Sequence, residues 1–294
     1  MILRIFNPSH DECLASGSPY YTPSRTARLM DEVHLPGWYC LGDDLPAWES
    51  VDKIEPWGWD ARLKRELQKR GCPPNLLPSD TQLADIRRLS SRQTAVRLLP
   101  LLTTHFHNAW ACNMEEVEAA QDRLAQVCPS AREQGGMLFK SPWSCSGRGV
   151  FAYDVRRIRK VLREQGGIEV EPLYRRVADF AMEFRCEDGK VEFLGLSAML
   201  NAPLGERNHA DYGGNLVLSD ADILSLMTRY VPQHEVLDTR DRLIDVLEQE
   251  IAPFYNGPLG VDQMIVGPDY ALHPLVEINL RHTMGHVALA CRAF

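Results

Sequence analysis

The segment Leu275-Val276-Glu277-Ile278-Asn279-Leu280-Arg281 sets the strongest constraint on how this chain folds. Side chains alternate between the faces of a β-strand, so Val276, Ile278 and Leu280 share one face and Glu277, Asn279 and Arg281 the other. Such a strand belongs in an antiparallel sheet with one face on a core. Gly260-Val261-Asp262 reads as part of a neighbouring strand. A carboxylate and an amide oxygen side by side, with Asp262 beside them, suit a hard cation that prefers oxygen ligands, such as magnesium completed by phosphate oxygens. Arg281 is placed to meet a phosphate through two donors. Taken alone, a solvated polar face needs no such role.

A second segment, Lys140-Ser141-Pro142-Trp143-Ser144-Cys145-Ser146-Gly147-Arg148-Gly149-Val150, puts a Lys at the end of a strand and a small-residue loop after it. Backbone N–H groups in such a loop can form an anion-binding nest, and the Lys adds a point charge. In a P-loop the Lys instead follows the glycines and precedes a helix, so this is a different device. A surface hairpin turn is the ordinary alternative. A third segment, Ile168-Glu169-Val170-Glu171-Pro172-Leu173, is a strand that Pro172 ends, leaving a bend suited to meeting a nucleobase edge through main-chain groups.

Around these segments, residues 1 to about 80 are rich in Pro, Trp and turn signals and read as a small α/β lobe, with a strand at 3–6, a loop at 7–11 and a helix opening at Trp57-Gly58-Trp59-Asp60. Asp11 is expected to cap the backbone of that loop. Ile86, Leu89, Ala95, Leu98 and Leu99 then recur at helical spacing with Ser90 or Ser91 as a cap, and a second helix covers 114–127. Strands are expected at 137–140, 168–171, 180–185, 191–196, 260–266 and 275–279 in one central sheet, with a hairpin turn at Glu187-Asp188-Gly189. Helices are expected at 220–230 and 238–251. The stretch 196–218 reads as a polar loop over the site, and Arg207, Tyr212 and Asn215 are its candidate substrate contacts. The expected fold is α+β with a mostly antiparallel central sheet.

A net charge of −8 argues against general nucleic-acid binding, though not against one nucleotide held by local cations. No stretch approaches the ~18 apolar residues of a membrane helix. The eight cysteines show no C-x-x-C pair and no Cys/His cluster at zinc-finger spacing, which suits free thiols in a reducing cytoplasm.

The order of these features, Lys before a Gly/Ser loop, then a Glu-Pro bend, then Asp, then Glu-x-Asn-x-Arg, resembles the ATP-grasp superfamily over residues 83–294. The opening Phe6-Asn7-Pro8-Ser9-His10-Asp11 is similar to that of an uncharacterised bacterial branch of it. The resemblance implies an ATP-grasp domain at 83–294 behind an N-terminal lobe at 1–82. It also implies that Lys140 and the loop Ser144, Ser146, Gly147, Arg148 and Gly149 grip the phosphates, Glu171 and Leu173 form the adenine hinge, and Asp179 meets the ribose. Asp262, Glu277 and Asn279 would hold magnesium, with Arg281 and Lys140 as the catalytic cations. Many members carry a further Lys for the α-phosphate; here Arg92 stands in that stretch. The implied activity is an ATP- and magnesium-dependent ligase that forms an acyl-phosphate on a small carboxylate and passes it to an amine or thiol. A small-molecule kinase and a non-catalytic ATP-binding module are the alternatives on the same fold. Such catalysis rests on positioning and electrostatics, so no protein nucleophile is required.

Overall fold

The computed structural model describes residues 1–128, 136–144, 147–201 and 212–292. The first lobe is built on β1 (Ile2–Phe6), whose alternation buries Leu3 and Ile5. After it come α1 (His10–Ser16), α2 (Arg25–Met30), β2 (Tyr39–Cys40), β3 (Lys53–Pro56) and α3 (Ala61–Lys69). The sheet is parallel with order β2-β1-β3. Parallel pairing needs crossover connections, and α3 covers the sheet with Leu63 and Leu67, one turn apart and fully buried. The expected helix start is refined to an Asp60 cap, whose side chain accepts from Leu63 N.

Two helices follow where one continuous pattern was read. Ser79 caps α4 (Asp80–Leu89) and Ser91 caps α5 (Arg92–Leu102). Next come β4 (Ala109–Ala111), α6 (Met114–Val127), β5 (Met137–Lys140), β6 (Val150–Phe151), α7 (Val155–Gln165) and β7 (Ile168–Pro172). These strands form a separate antiparallel sheet, order β4-β7-β5-β6, over a core of Val117, Leu124, Phe139, Ile158 and Val170.

The remaining chain gives β8 (Arg176–Glu187), β9 (Lys190–Asn201), β10 (Tyr212–Leu216), α8 (Asp220–Met227), α9 (Gln233–Glu250), β11 (Gly257–Val266), β12 (Ala271–Asn279) and α10 (Met284–Cys291). Its sheet is antiparallel with order β10-β9-β8-β11-β12. The helix α5 packs on β12. Among the described residues no helix is long and apolar enough to cross a membrane.

Two expectations change. The single central sheet is two sheets, because Pro172 ends β7 without a donor and the chain turns before β8 starts a new ladder. The stretch 196–218 is not one loop: β9 runs to Asn201 and β10 pairs back onto it, while Arg207 lies outside the described residues.

Helix α10 approaches the sheet closely through Gly285. A Cβ there would sit 1.8 Å from Glu183 Oε1 and 2.5 Å from Ser197 Oγ. Gly285→Ala is therefore expected to destabilise the protein by about 1–3 kcal/mol, read as a lower urea midpoint with an unchanged slope. An unchanged midpoint would mean that α10 can move off the sheet at no cost.

Candidate active site

The β11–β12 register sets Asp262 opposite Glu277 and Gly260 opposite Asn279. Asp262, Glu277 and Asn279 therefore share one face, and Asn279 Nδ2 donates to Asp262 Oδ2 at 3.2 Å. On the other side of β11, β8 sets Glu183 beside Gly260, where a Cβ would lie 2.6 Å from Glu183 Oε2. Glu183 is buried and takes hydroxyl donors from Ser197 and Thr283, each at 2.8 Å. Burial, then the charges of Glu277 and Glu183, push the Asp262 carboxyl up to about 8. Two facing carboxylates and an amide oxygen, with a third carboxylate close enough to raise the first, fit a divalent cation with oxygen ligands.

The phosphate-type loop meets this cluster through Arg92. The Ser91 cap puts Arg92 in the first turn of α5, where it is only 4% exposed. Its Nη1 donates to Ser141 O at 2.6 Å and to Ser144 Oγ at 2.7 Å, and its Nη2 to Glu277 Oε2 at 2.8 Å. Its Nε is buried without a partner. Burial alone would lower this guanidinium's pKa, but Glu277 and Glu169 outweigh it and the group is held up. Arg92 thus stands between the loop and Glu277. Within the loop, Ser141 N donates to Gly149 O at 2.9 Å, Gly147 has φ 73°, and a Cβ on Gly149 would lie 2.1 Å from Ser144 Oγ. The left-handed backbone at Gly147 favours glycine, and a side chain at Gly149 would force Ser144 to move. Ser146 lies outside the described residues.

Lys140 ends β5 as expected, yet its side chain is committed to carboxylates. Antiparallel pairing sets Lys140 against Glu169 and Leu138 against Glu171, so the ammonium faces both acids. It bonds Glu171 and lies 3.9 Å from Glu169 Oε1. Burial would lower its pKa; Glu169 and Glu171 hold it up. Asn108 Nδ2 donates to Glu169 Oε1 at 2.9 Å, whereas Glu169 Oε2 is buried without a partner. Beyond the bend, the Leu173 amide N–H already donates to Gly136 O at 2.9 Å. Nearby, His273 is buried against Phe106 and Tyr174 with Nε2 unpartnered. Burial and then Lys140 push its pKa down to about 3, so it is neutral. The strand expected at 275–279 begins after His273, whereas β12 starts at Ala271 and includes it.

The first lobe reaches the same cleft. His10 and Asp11 lie in α1, not in a loop, and the Asp11 carboxylate pairs with Arg281 Nε at 3.2 Å instead of capping backbone. His10 is buried 3.5 Å from Asp60. His10, Asp11, Ser144, Glu277, Asn279 and Arg281 line one small cavity. A larger cavity of about 450 Å³ adjoins it, lined by Asp11, Glu12, Tyr21, Ser144, Arg148 and Gly149 among others. Arg148 reaches Glu12 across this cavity at 3.8 Å.

Three other candidates sit on the same five-stranded sheet. Asp179 is on β8, two residues from the partner of Asp262, and pairs with Arg176 at 3.1 Å. Tyr212 and Asn215 are on β10, the edge opposite β12, with β9, β8 and β11 between, so the structure does not gather them with Glu277.

No protein-family model matches the sequence, and no curated protein matches it. Solved structures do. D-cycloserine synthetase DcsG matches with a TM-score of 0.55 at 13% identity, over 98% of this chain and 94% of its own. N5-carboxyaminoimidazole synthetase from Staphylococcus aureus, complexed with ADP, matches with a TM-score of 0.55 at 13% identity, over 98% and 73%. An ADP complex of the purK N5-carboxyaminoimidazole ribonucleotide synthetase gives 0.53 at 14% identity, over 97% and 71%. The fold of these structures is the ATP-grasp fold, and this chain has it.

The buried acids make a pH prediction. Burial first, offset by Lys140 and reinforced by Glu171, raises the Glu169 carboxyl from 4.5 to about 7. A carboxyl raised on folding contributes stability that is complete below its unfolded pKa and is lost as pH rises through the folded one. Glu169→Gln removes that dependence while keeping an acceptor for Asn108. The variant should gain stability relative to wild type between pH 5 and 8 in urea unfolding; parallel profiles would show that Glu169 is already ionised throughout.

Proposed function

We propose that this chain is an ATP- and magnesium-dependent ligase that joins a small-molecule carboxylate to an amine through an acyl-phosphate. The observation that carries the reading is the Arg92 fork, which ties the glycine-bearing loop to Glu277 and so makes phosphate loop and oxygen cluster two halves of one site. In this reading the loop amides from Ser144 to Gly149, with Lys140 and Arg92, hold the phosphates. Adenine lies at the Glu171–Leu173 bend, where Glu169 and His273 offer unpartnered atoms. Asp179 meets the ribose, and the lobe of residues 1–82 closes over the region 83–294. Asp262, Glu277 and Asn279 would hold magnesium, which supplies charge neutralisation of the phosphate oxygens.

A substrate carboxylate oxygen attacks the γ-phosphorus, the bond to the bridging oxygen breaks, and ADP leaves. Arg281 offsets charge on the transferred group. The amine nitrogen then attacks the acyl carbon, the bond to phosphate breaks, and the amine proton passes to solvent. The amine is favoured over a thiol because Asp11, Glu12 and Glu164 line the adjoining cavity against one cation, Arg148. The relatives named above are synthetases, two of them with ADP, which supports nucleotide use. The buried free thiols Cys13, Cys72, Cys128 and Cys186 suit the reducing cytoplasm.

The test is a metabolite-pool screen for ADP release, followed by hydroxylamine trapping with the active carboxylate. A hydroxamate is expected. A stable phosphorylated product without trapping would assign a kinase, and tight ATP binding without turnover a binding module. Glu277→Gln should lower turnover by about 10²-fold or more with the fold retained. A wild-type rate with wild-type magnesium dependence would remove Glu277 from the site.

A further inference from the structure

Away from the cleft, β2 and the turns on either side of it gather three side chains of different chemistry. One ligand atom each from His34, Cys40 and Asp43 lies within 4.8 Å of the other two. His34 Nε2 stands 3.3 Å from Asp43 Oδ1. The rest of each residue is arranged around that meeting point. His34 Nδ1 lies 3.2 Å from Glu32 O; a proton on Nδ1 donates to this carbonyl and leaves the Nε2 lone pair facing Asp43. Metal-bound histidines are oriented by such a bond on the second nitrogen. Asp43 Oδ2 accepts from Cys40 N at 2.7 Å, which fixes the carboxylate and turns Oδ1 to the histidine. Cys40 is buried, and its Sγ has a weak 3.5 Å contact with Val33 O. None of the three takes part in the nucleotide cleft.

We propose that His34, Cys40 and Asp43 form a three-ligand site for a divalent cation of the zinc class, with water in the fourth position. Imidazole, thiolate and carboxylate together are a zinc donor set; magnesium and calcium take oxygen ligands. Bond lengths of about 2.0–2.3 Å place ligand atoms of a tetrahedral zinc roughly 3.3–3.7 Å apart, so the site closes by about an ångström. His34 Nε2 and Asp43 Oδ1 already stand at that spacing, 3.3 Å, so the closure is of this pair toward the Cys40 thiol, with His34 exposed. On binding, the Cys40 thiol proton goes to solvent and sulfur takes the metal. The consequence lies in the same stretch. Trp38 packs edge-on against Phe6, Trp57 and His282, at 6.3, 6.0 and 4.9 Å. His282 adjoins Arg281, so a metal here pins the loop that holds the small lobe against the residues that follow β12. A small lobe with a two-residue edge strand gains most from such a staple.

The full chain, freed of metal by a chelator, is titrated with Zn²⁺ by calorimetry and with Co²⁺ by absorption. One equivalent of cobalt should give a near-ultraviolet thiolate-to-cobalt band. Cys40→Ser should abolish the band, and His34→Gln should weaken zinc binding at least tenfold. Glu277→Gln should leave both unchanged, which separates this site from the cleft. Zinc should raise the Tm of the wild type and not of Cys40→Ser. If Cys40→Ser fails to fold by circular dichroism, His34→Gln, at the exposed position, decides alone. No cobalt band, a band that survives Cys40→Ser, or equal zinc affinity in His34→Gln would overturn the proposal.

Discussion

One buried guanidinium holds the cleft together. Arg92 sits at the start of α5, and α5 packs on β12, so the helix delivers its charge to the strand that carries Glu277. Burying an ion costs several kcal/mol unless hydrogen bonds and an opposite charge replace its water. Here a main-chain carbonyl, a hydroxyl and a carboxylate do so, the first two from the β5–β6 connection of one sheet and the third from strand β12 of another. The fork geometry matters. A lysine ammonium is a single point on a flexible stem, whereas the planar guanidinium reaches Ser141 and Ser144 through one nitrogen and Glu277 through the other. A lysine at this position would not reach all three acceptors at once.

Much of the fold was legible because its signals are local. The period of two in 275–279 and the Glu187-Asp188-Gly189 turn required nothing distant: Asp188 and Gly189 adopt φ of 49° and 77°, the left-handed pair a tight hairpin needs, while β12 ends at Asn279 and leaves Arg281 beyond the strand. Capping by Asp60 and Ser91 is equally local. The helix α7, absent from the sequence expectations, carries an equally local signal, since Val155, Ile158 and Leu162 fall on one face. Sheet membership was not readable. Whether β7 continues into β8's ladder depends on where the chain goes after Pro172, and composition does not contain that.

The site divides in the same way. Glu277 and Asn279 follow from alternation, and Asp262 from a hairpin register. Glu183 carries no local mark; its place beside Gly260 comes from the β8–β11 pairing. Asp11 finds Arg281 across almost the whole chain, so a turn was the better local guess and tertiary structure overrode it. Lys140 was found by its place before the loop, but its carboxylate partners depend on the β5–β7 register.

These partnerships set what the cleft can bind. Lys140 faces Glu169 and Glu171, Arg92 faces Glu277, Arg281 faces Asp11, and Arg148 faces Glu12. Each of these cations is matched by an acid of the same chain, in a protein whose net charge is −8. A bare triphosphate would have to compete with carboxylates for every one of them, inside a partly dry site where unpaired charge is costly. A divalent cation changes that balance. On the proposed reading a cation held by Asp262 and Glu277 would remove the acid that opposes Arg92, and would offset both the burial and the neighbouring charges that raise the Asp262 carboxyl. On the proposed reading, nucleotide and metal are therefore not two independent ligands of this site. The arginine fork becomes available to phosphate only to the extent that the metal occupies its carboxylate partner, so metal and triphosphate should bind with positive coupling.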